Sequence, residues 1–441
     1  MWVKKKVIML IAVIFSISLL AACSNNSNEA GTSSSKSSDT DGKGNQEQIE
    51  LRIVWWGSQT RHDRTMEAIK LFEEKNPTIK ISPEFLGWDG YWEKLATQAA
   101  GGNLADIIQI DLQYTNEYVT RGLLQDLGPY VDSGVLNLDD LDELYLSGGY
   151  VDDKLYQIPL GANSLAVAYD PAMFEEAGVA PLEPGYTWDD YINTARQLTA
   201  NLDGVTVPGV NGTQAFQHYL RQHDLWLYNE DNSALGYDDD KYFIDFYTMW
   251  KDLLDEGVQT PLDVMAQASA LEDAPIVHSK APVHVFNSNQ IVALETSAGR
   301  PLEMMLYPSL EGGTWGHYLK PTMFFSVTTQ SKHPEEAAKF LDFITNDLEA
   351  NEILAAERGV PVSSKVRDHL YPQLSDTEKK QFDYLDVVAE HSSPIHPLLP
   401  PGHSEIDGLQ ARLYEQIMYG EITPEEAAKQ FRKEANAILQ K

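Results

Sequence analysis

The chain has 441 residues, 43% of them hydrophobic, with 33 basic against 66 acidic side chains and a formal net charge of −33. A surplus of acid on this scale speaks against a nucleic-acid partner, which needs a basic face for phosphate. One cysteine leaves no internal disulfide framework, and some 390 residues beyond the N-terminal segments are more than one ordinary core holds, so two domains are expected.

The first element in chain order is a targeting segment. Lys4, Lys5 and Lys6 precede an apolar run from Val7 to Leu20, about fourteen residues where a spanning helix needs roughly 20. Leu20-Ala21-Ala22-Cys23 resembles a bacterial lipobox, so residues 1–22 read as a lipoprotein signal peptide and Cys23 as the lipidated first residue of the mature chain. Residues 24–48 are Ser, Asn, Gly, Thr, Asp and Lys with almost no large apolar side chain. Such a segment cannot offset its ordering entropy, and residues 23–48 read as a lipidated tether spanning about 25–30 Å. Ser24 after Cys23 suits a single-membrane, Gram-positive-type cell, with the protein held on the extracellular face of its cytoplasmic membrane.

Ile49–Trp56 alternates and then turns apolar, a first strand. Gly57-Ser58 turns the chain, and Asp63–Lys75 has helical spacing that stops before Asn76-Pro77. Ile79–Leu86 is a second strand, Trp92–Ala100 a helix stopped by Gly101-Gly102, and Leu104–Ile110 a third strand ending at Asp111. This β-α-β-α-β rhythm predicts a parallel sheet, whose ligands sit beyond the carboxyl ends of its strands: at Trp56–Arg61, Gly87–Asp89 and Asp111–Tyr114. Lys154–Pro159 and Ser164–Tyr169 are short extended pieces. A second α/β stretch has helices near Trp188–Ala200, Gln214–His223 and Tyr242–Asp255, and strands at Ile276–Phe286 and Thr322–Thr328. Pro334–Asn346, Leu348–Glu357 and Pro424–Gln440 close the chain as amphipathic helices.

Several segments in this order resemble the family 1 extracellular solute-binding proteins, the sugar receptors of ABC importers. They include Trp55-Trp56-Gly57, Leu71-Phe72-Glu73-Glu74-Lys75-Asn76-Pro77, Ala105-Asp106-Ile107-Ile108, Gly122-Leu123-Leu124-Gln125-Asp126-Leu127, Thr187-Trp188-Asp189-Asp190 and His333-Pro334-Glu335-Glu336-Ala337-Ala338. Within the family, Trp55 to Asp63, Ser147-Gly148-Gly149, Lys320-Pro321 and Glu357 to Ser363 are similar to the receptor subgroup for rhamnogalacturonan and other pectin fragments. The resemblance implies an α/β fold of the periplasmic-binding-protein type II kind, two lobes joined by crossing strands. Lobe one would be residues 49–160 with 322–347 returning to it. Lobe two would be 161–321 with 348–441 packed on it, and the hinge would fall at Gly161 and Pro321. It further implies a monomer with no catalytic role, capturing an oligosaccharide, leaning to plant cell-wall material, for ABC permease subunits. A receptor of this type for chitin-type or other neutral oligosaccharides is the alternative. A surface glycoside hydrolase fits less well, because the chain has no eightfold βα repetition and no catalytic signature.

A sugar presents hydroxyls to hydrogen-bond and flat C–H faces to stack on, so the candidate residues are aromatic, amide, carboxylate and arginine side chains at strand ends. In lobe one these are Trp56 (with Trp55 turned into the core), Gln59 and Arg61 in the following loop, Trp88 (with Trp92 in the core), and Asp111, whose other use would be a helix N-cap. Asn163 lies beside the hinge. Trp226, Asn287 and Trp315 are the candidates in lobe two, and Arg358, which would otherwise face a helix C-terminus, completes the set. His391, His396 and His403 lie in a Pro-rich segment and read as solvated, with no metal, and Asp139 to Glu143 lacks the calcium-loop pattern. No cofactor is expected.

Overall fold

The computed structural model describes residues 48–209, 212–268, 271–312, 314–393, 395 and 399–441. The expected signal peptide, Cys23, nearly all of the expected tether and His396 lie outside the described residues.

The first sheet grows from three strands in the predicted rhythm. β1 (Ile49–Trp56) is followed by α1 (Gln59–Lys75), β2 (Ile79–Leu86), α2 (Trp88–Ala100), β3 (Ile107–Ile110) and α3 (Leu112–Thr120). β1 pairs in parallel with both β2 and β3. Alternation along β1 splits its side chains between two apolar layers: Leu51, Ile53 and Trp55 enter one with Phe72, and Val54 and Trp56 enter the other with Tyr91 and Leu95. Two helices begin earlier than their spacing suggested. The Ser58 hydroxyl accepts the Arg61 amide and starts α1 at Gln59, so Gln59 and Arg61 belong to a helical first turn and not to a loop. Likewise α2 starts at Trp88.

β4 (Ile158–Asn163) ends the first pass through this lobe, and after Ser164 the chain enters a second sheet as β5 (Leu165–Tyr169). There follow α4 (Trp188–Asn201), α5 (Thr213–Gln222), α6 (Lys241–Asp255), β6 (Val283–Asn287), α7 (Ile291–Ala298) and β7 (Glu303–Met305). The sheet is antiparallel in the order β6-β5-β7. Only the end of the predicted strand 276–286 is a strand. Pro275 and Pro282 cannot donate ladder hydrogen bonds, and the carbonyls of Ile276 and Val277 are taken by the Arg300 guanidinium. Trp188, Phe216, Phe243, Phe246, Trp250 and Phe431 form the core of this lobe.

The chain then returns. β8 (Lys320–Val327) inserts between β3 and β4, antiparallel to both, and completes a five-stranded sheet of order β2-β1-β3-β8-β4. α8 (Pro334–Asn346), α9 (Leu348–Leu354) and α10 (Ser364–Leu370) follow, then α11 (Asp376–Ala389), α12 (His403–Met418) and α13 (Pro424–Leu439). The lobe boundary differs from the expected one, because residues 348–370 stay with the first lobe. α9 packs on α1 and α8, Ala162 and Val360 exchange backbone hydrogen bonds of 2.9 and 3.1 Å, and the Ser364 amide donates to the Asp140 carbonyl at 2.9 Å. Only α11 to α13 join lobe two, with α12 and α13 packed on α6.

The hinge assignments also shift. Gly161 and Pro321 are both paired inside the first sheet, Gly161 with Met323 and Pro321 with Ala162, around a bulge at Thr322. A Cβ on Gly161 would stand 2.5 Å from the Arg358 carbonyl oxygen. Close approach of a neighbouring backbone therefore requires a glycine here. The chain passes between sheets one step further on, after Asn163 and before Lys320.

Candidate functional site

At the carboxyl end of β1, Trp56 is the hub of an aromatic cluster. Its ring centroid lies 5.1 Å from Trp88, 5.1 Å from Tyr91 and 5.4 Å from Trp92, and Trp92 in turn lies 3.8 Å from Tyr114 of α3. Trp55 is fixed in the opposite layer, its indole N–H donating to His62 Nδ1 at 3.1 Å. Trp56 itself is only 7% exposed, whereas Trp88 is 40% exposed. Trp56 thus supports the cluster from beneath, and Trp88 presents an open ring face. Trp92, expected in the core, is half-buried in the same cluster, and its Nε1 has no hydrogen-bond partner among the described residues.

Asp111 takes the helix-capping use foreseen for its position. Its Oδ1 caps α3, accepting the Gln113 amide at 3.1 Å. Burial raises its carboxyl pKa, with the cap and the Lys320 charge opposing that shift. Lys320, the first residue of β8, is pushed down by burial while Asp111 opposes. Lys320 lines a cavity of about 320 Å³ between the lobes, with Leu112 from the first lobe and Tyr318 from the crossing segment. The second lobe supplies Thr213, Gln214 and Gln217 of α5 and His403 and Asp407 of α12. Asp407 Oδ1 accepts from the Thr213 amide at 3.1 Å and its hydroxyl at 2.8 Å, and His403 Nδ1 lies 2.7 Å from the Tyr228 hydroxyl. A second cavity of about 570 Å³ adjoins it through Ile395, between Ser147 and Tyr150–Asp153 of lobe one and Glu230–Asn232 of lobe two. The lobes touch directly where the Ser404 hydroxyl donates to Gln113 Oε1 at 3.2 Å.

The remaining expected residues divide. Trp226 and Asn287 lie close to these cavities. The Arg221 guanidinium stands 4.4 Å from the Trp226 ring and 4.8 Å from the Tyr318 ring. Asn287 accepts from Gln214 Nε2 at 3.2 Å and lines a further cavity of about 370 Å³ that shares Gln214 with the first. Asn163 sits at the crossing point, paired with Lys320. It is 7% exposed, donates to Asn289 Oδ1 at 3.1 Å, and its own Oδ1 is buried without a partner among the described residues.

Gln59, Arg61, Arg358 and Trp315 have structural partners. Gln59 donates to Asp63 at 2.8 Å within α1. Arg61 is ion-paired with Glu357 at 2.7 Å and donates to the Trp56 carbonyl at 3.3 Å. Arg358 is buried against Thr65 Oγ1 at 2.9 Å and the Phe325 ring, with its pKa lowered to about 9 by burial and then by Arg61. Trp315 stacks flat on His391 with centroids 3.7 Å apart, next to Gly185. His391 and His403 are therefore packed or cavity-lining and not solvated. Lys320, Gln214, Gln217, Tyr318, His403 and Asp407 were not singled out as site residues from sequence. A helix start after Pro400-Pro401-Gly402 was the one signal that could have raised His403 and Asp407.

Among the described residues no group of three or more His, Cys, Asp or Glu side chains is placed to hold a metal ion, and no helix is long and apolar enough to cross a membrane. Two α/β lobes, a crossing strand that completes the first sheet and a polar cavity between them define a solute-binding protein of the type II two-lobed class. Residues 57–348 match the bacterial extracellular solute-binding protein family, and the chain belongs to it. An extracellular solute-binding protein of family 1 from Alicyclobacillus acidocaldarius is 32% identical with a TM-score of 0.77, the match covering 89% of this chain and 99% of that one. A periplasmic oligogalacturonide binding protein from Yersinia enterocolitica is 25% identical, TM-score 0.74, over 89% of this chain and 99% of that one. The multiple sugar-binding protein of Streptococcus mutans is 24% identical over 78% of this chain and 79% of its own length.

Proposed function

We propose that this chain is the capture component of a carbohydrate ABC importer. It takes an oligosaccharide, leaning to plant cell-wall fragments, between its lobes and delivers it to permease subunits from a lipid anchor at Cys23. The observation that carries the reading is an exposed Trp88 ring, set on an aromatic base at the carboxyl end of the first sheet, together with a cavity of amides, one carboxylate and one ammonium between the lobes. Flat rings suit the C–H faces of sugars, and the polar groups suit their hydroxyls. The likeness to a sugar-binding relative and to an oligogalacturonide binding protein supports the same class.

Closure follows from contacts that exist only when ligand bridges both lobes. The test is a thermal-shift panel of pectin, xylan, glucan and chitin oligosaccharides, in which a tight ligand raises the melting temperature by mass action. Small-angle scattering with the best ligand should then give a smaller radius of gyration. No shift with any sugar would overturn the carbohydrate reading, and a shift with an unchanged radius would overturn closure. In calorimetry, Trp88→Ala should weaken binding about tenfold, in line with the loss of one stacked ring.

A further inference from the structure

The charges in the space between the lobes are distributed unevenly. Lys320 lines the cavity at the crossing strand, and among the described residues its ammonium makes no hydrogen bond or ion pair. Two carboxylates bear on it: the Asp111 charge acts on Lys320, and Asp407 lines the same cavity. Asp111 caps α3, and Asp407 accepts twice from Thr213 at the start of α5, where a helix dipole favours negative charge. The cation therefore remains the group in the cavity with unmet demand, flanked by the amides of Gln214 and Gln217. The adjoining cavity is the reverse. Asp152 and Asp153 from one lobe and Glu230 and Asp231 from the other line it, and among the described residues no basic side chain does.

We infer that this site selects an oligosaccharide bearing one uronate unit, its carboxylate on Lys320 and its neutral neighbours in the acid-lined cavity, over both wholly neutral chains and polyuronates. The inference rests on the carbohydrate reading above. A ligand carboxylate gives the desolvated ammonium the partner it lacks, and a charge-assisted hydrogen bond of that kind is stronger than one to a neutral hydroxyl. Sugar hydroxyls can donate to the four acids, whereas a second carboxylate meets like charge. Those four side chains are exposed, so salt screens the repulsion and a polyuronate is weakened, not shut out.

The experiment is calorimetry on the mature protein with aldotetraouronic acid, trigalacturonic acid, xylotetraose and cellotetraose. Aldotetraouronic acid should bind about tenfold tighter than the neutral tetrasaccharides. It should also bind several-fold tighter than trigalacturonic acid, by a margin that widens as salt is lowered. Lys320→Met should abolish the preference over neutral sugars, and Lys320→Arg should restore it. Trigalacturonic acid binding tightest, or a preference that survives Lys320→Met, overturns the inference. Binding of neutral sugars alone overturns it while leaving the carbohydrate reading intact; no binding of any probe removes both.

Discussion

Gly161 and Arg358 meet across two segments that are distant in sequence, and the contact leaves no room for a side chain. Gly161→Ala should destabilise by about 1–3 kcal/mol through overpacking, read as a lower urea midpoint. Gly87→Ala, where a Cβ would meet nothing within 4 Å, should change it little. Buried histidines supply a second residue-scale effect. His218 and His317, with ring centroids 4.8 Å apart, and His284 all have lowered pKa values, by burial first and for His218 and His317 by neighbouring charge as well, with His284 near 4 and His317 near 3. The unfolded chain takes up these protons near the ordinary value of about 6.5, before the folded one does. Stability from these groups is therefore full above that pH and is lost as pH falls toward the folded values. Between pH 7.5 and 5.5 the urea midpoint should fall by the equivalent of about 1 kcal/mol per buried histidine, and His317→Phe should flatten the slope. That these histidines are buried was not legible in sequence, because nothing local distinguishes a packed imidazole from a solvated one.

Among the elements, α1 is tied to the segment after α9 by the Arg61–Glu357 ion pair, which is largely shielded from solvent. Glu357→Gln would leave Arg61 unpaired beside the buried Arg358 guanidinium. It should cost about 1–3 kcal/mol, between the values for exposed and buried pairs, measured as a denaturation midpoint that recovers in part with added salt. Local chemistry made many elements readable. The Thr187/Asp190 and Thr423/Glu426 capping boxes start α4 and α13, and Pro77 marks the end of α1. What failed locally was decided at a distance. The apolar run before Val283 looks like strand, but Arg300 collects its carbonyls. The close approach of Arg358 to Gly161 is likewise invisible to a local reading.

For the whole molecule, the two-lobed plan was legible from the β-α-β rhythm and the ordered family segments, while the share of each lobe was not. Residues 348–370 carry helical patterns that fit either lobe, and the Ala162–Val360 and Asp140–Ser364 contacts decide it. The lining of the cavity between the lobes was hardly legible. Trp88 and Asp111 stand at strand ends, where ligands are expected, but the cavity is lined by residues such as Lys320 and Asp407, from segments that reach it only through the fold. Movement of the lobes can be read where a side chain of one donates to a side chain of the other, at Gln113 and Ser404. In a Gln113→Cys, Ser404→Cys variant with Cys23 removed, a short bismaleimide should cross-link faster when a binding sugar is present. An unchanged rate would count against ligand-driven closure.

The insertion of β8 between β3 and β4 has a bearing on timing. During synthesis β3 and β4 leave the ribosome with an empty lane between them, and the strand that fills it arrives only after the second lobe's sheet has been made. Non-local pairing of this kind delays folding, so the first lobe stays unlocked until most of the polypeptide exists. For a member of an extracellular family, whose chains cross a membrane before they act, that delay keeps the polypeptide threadable for longer.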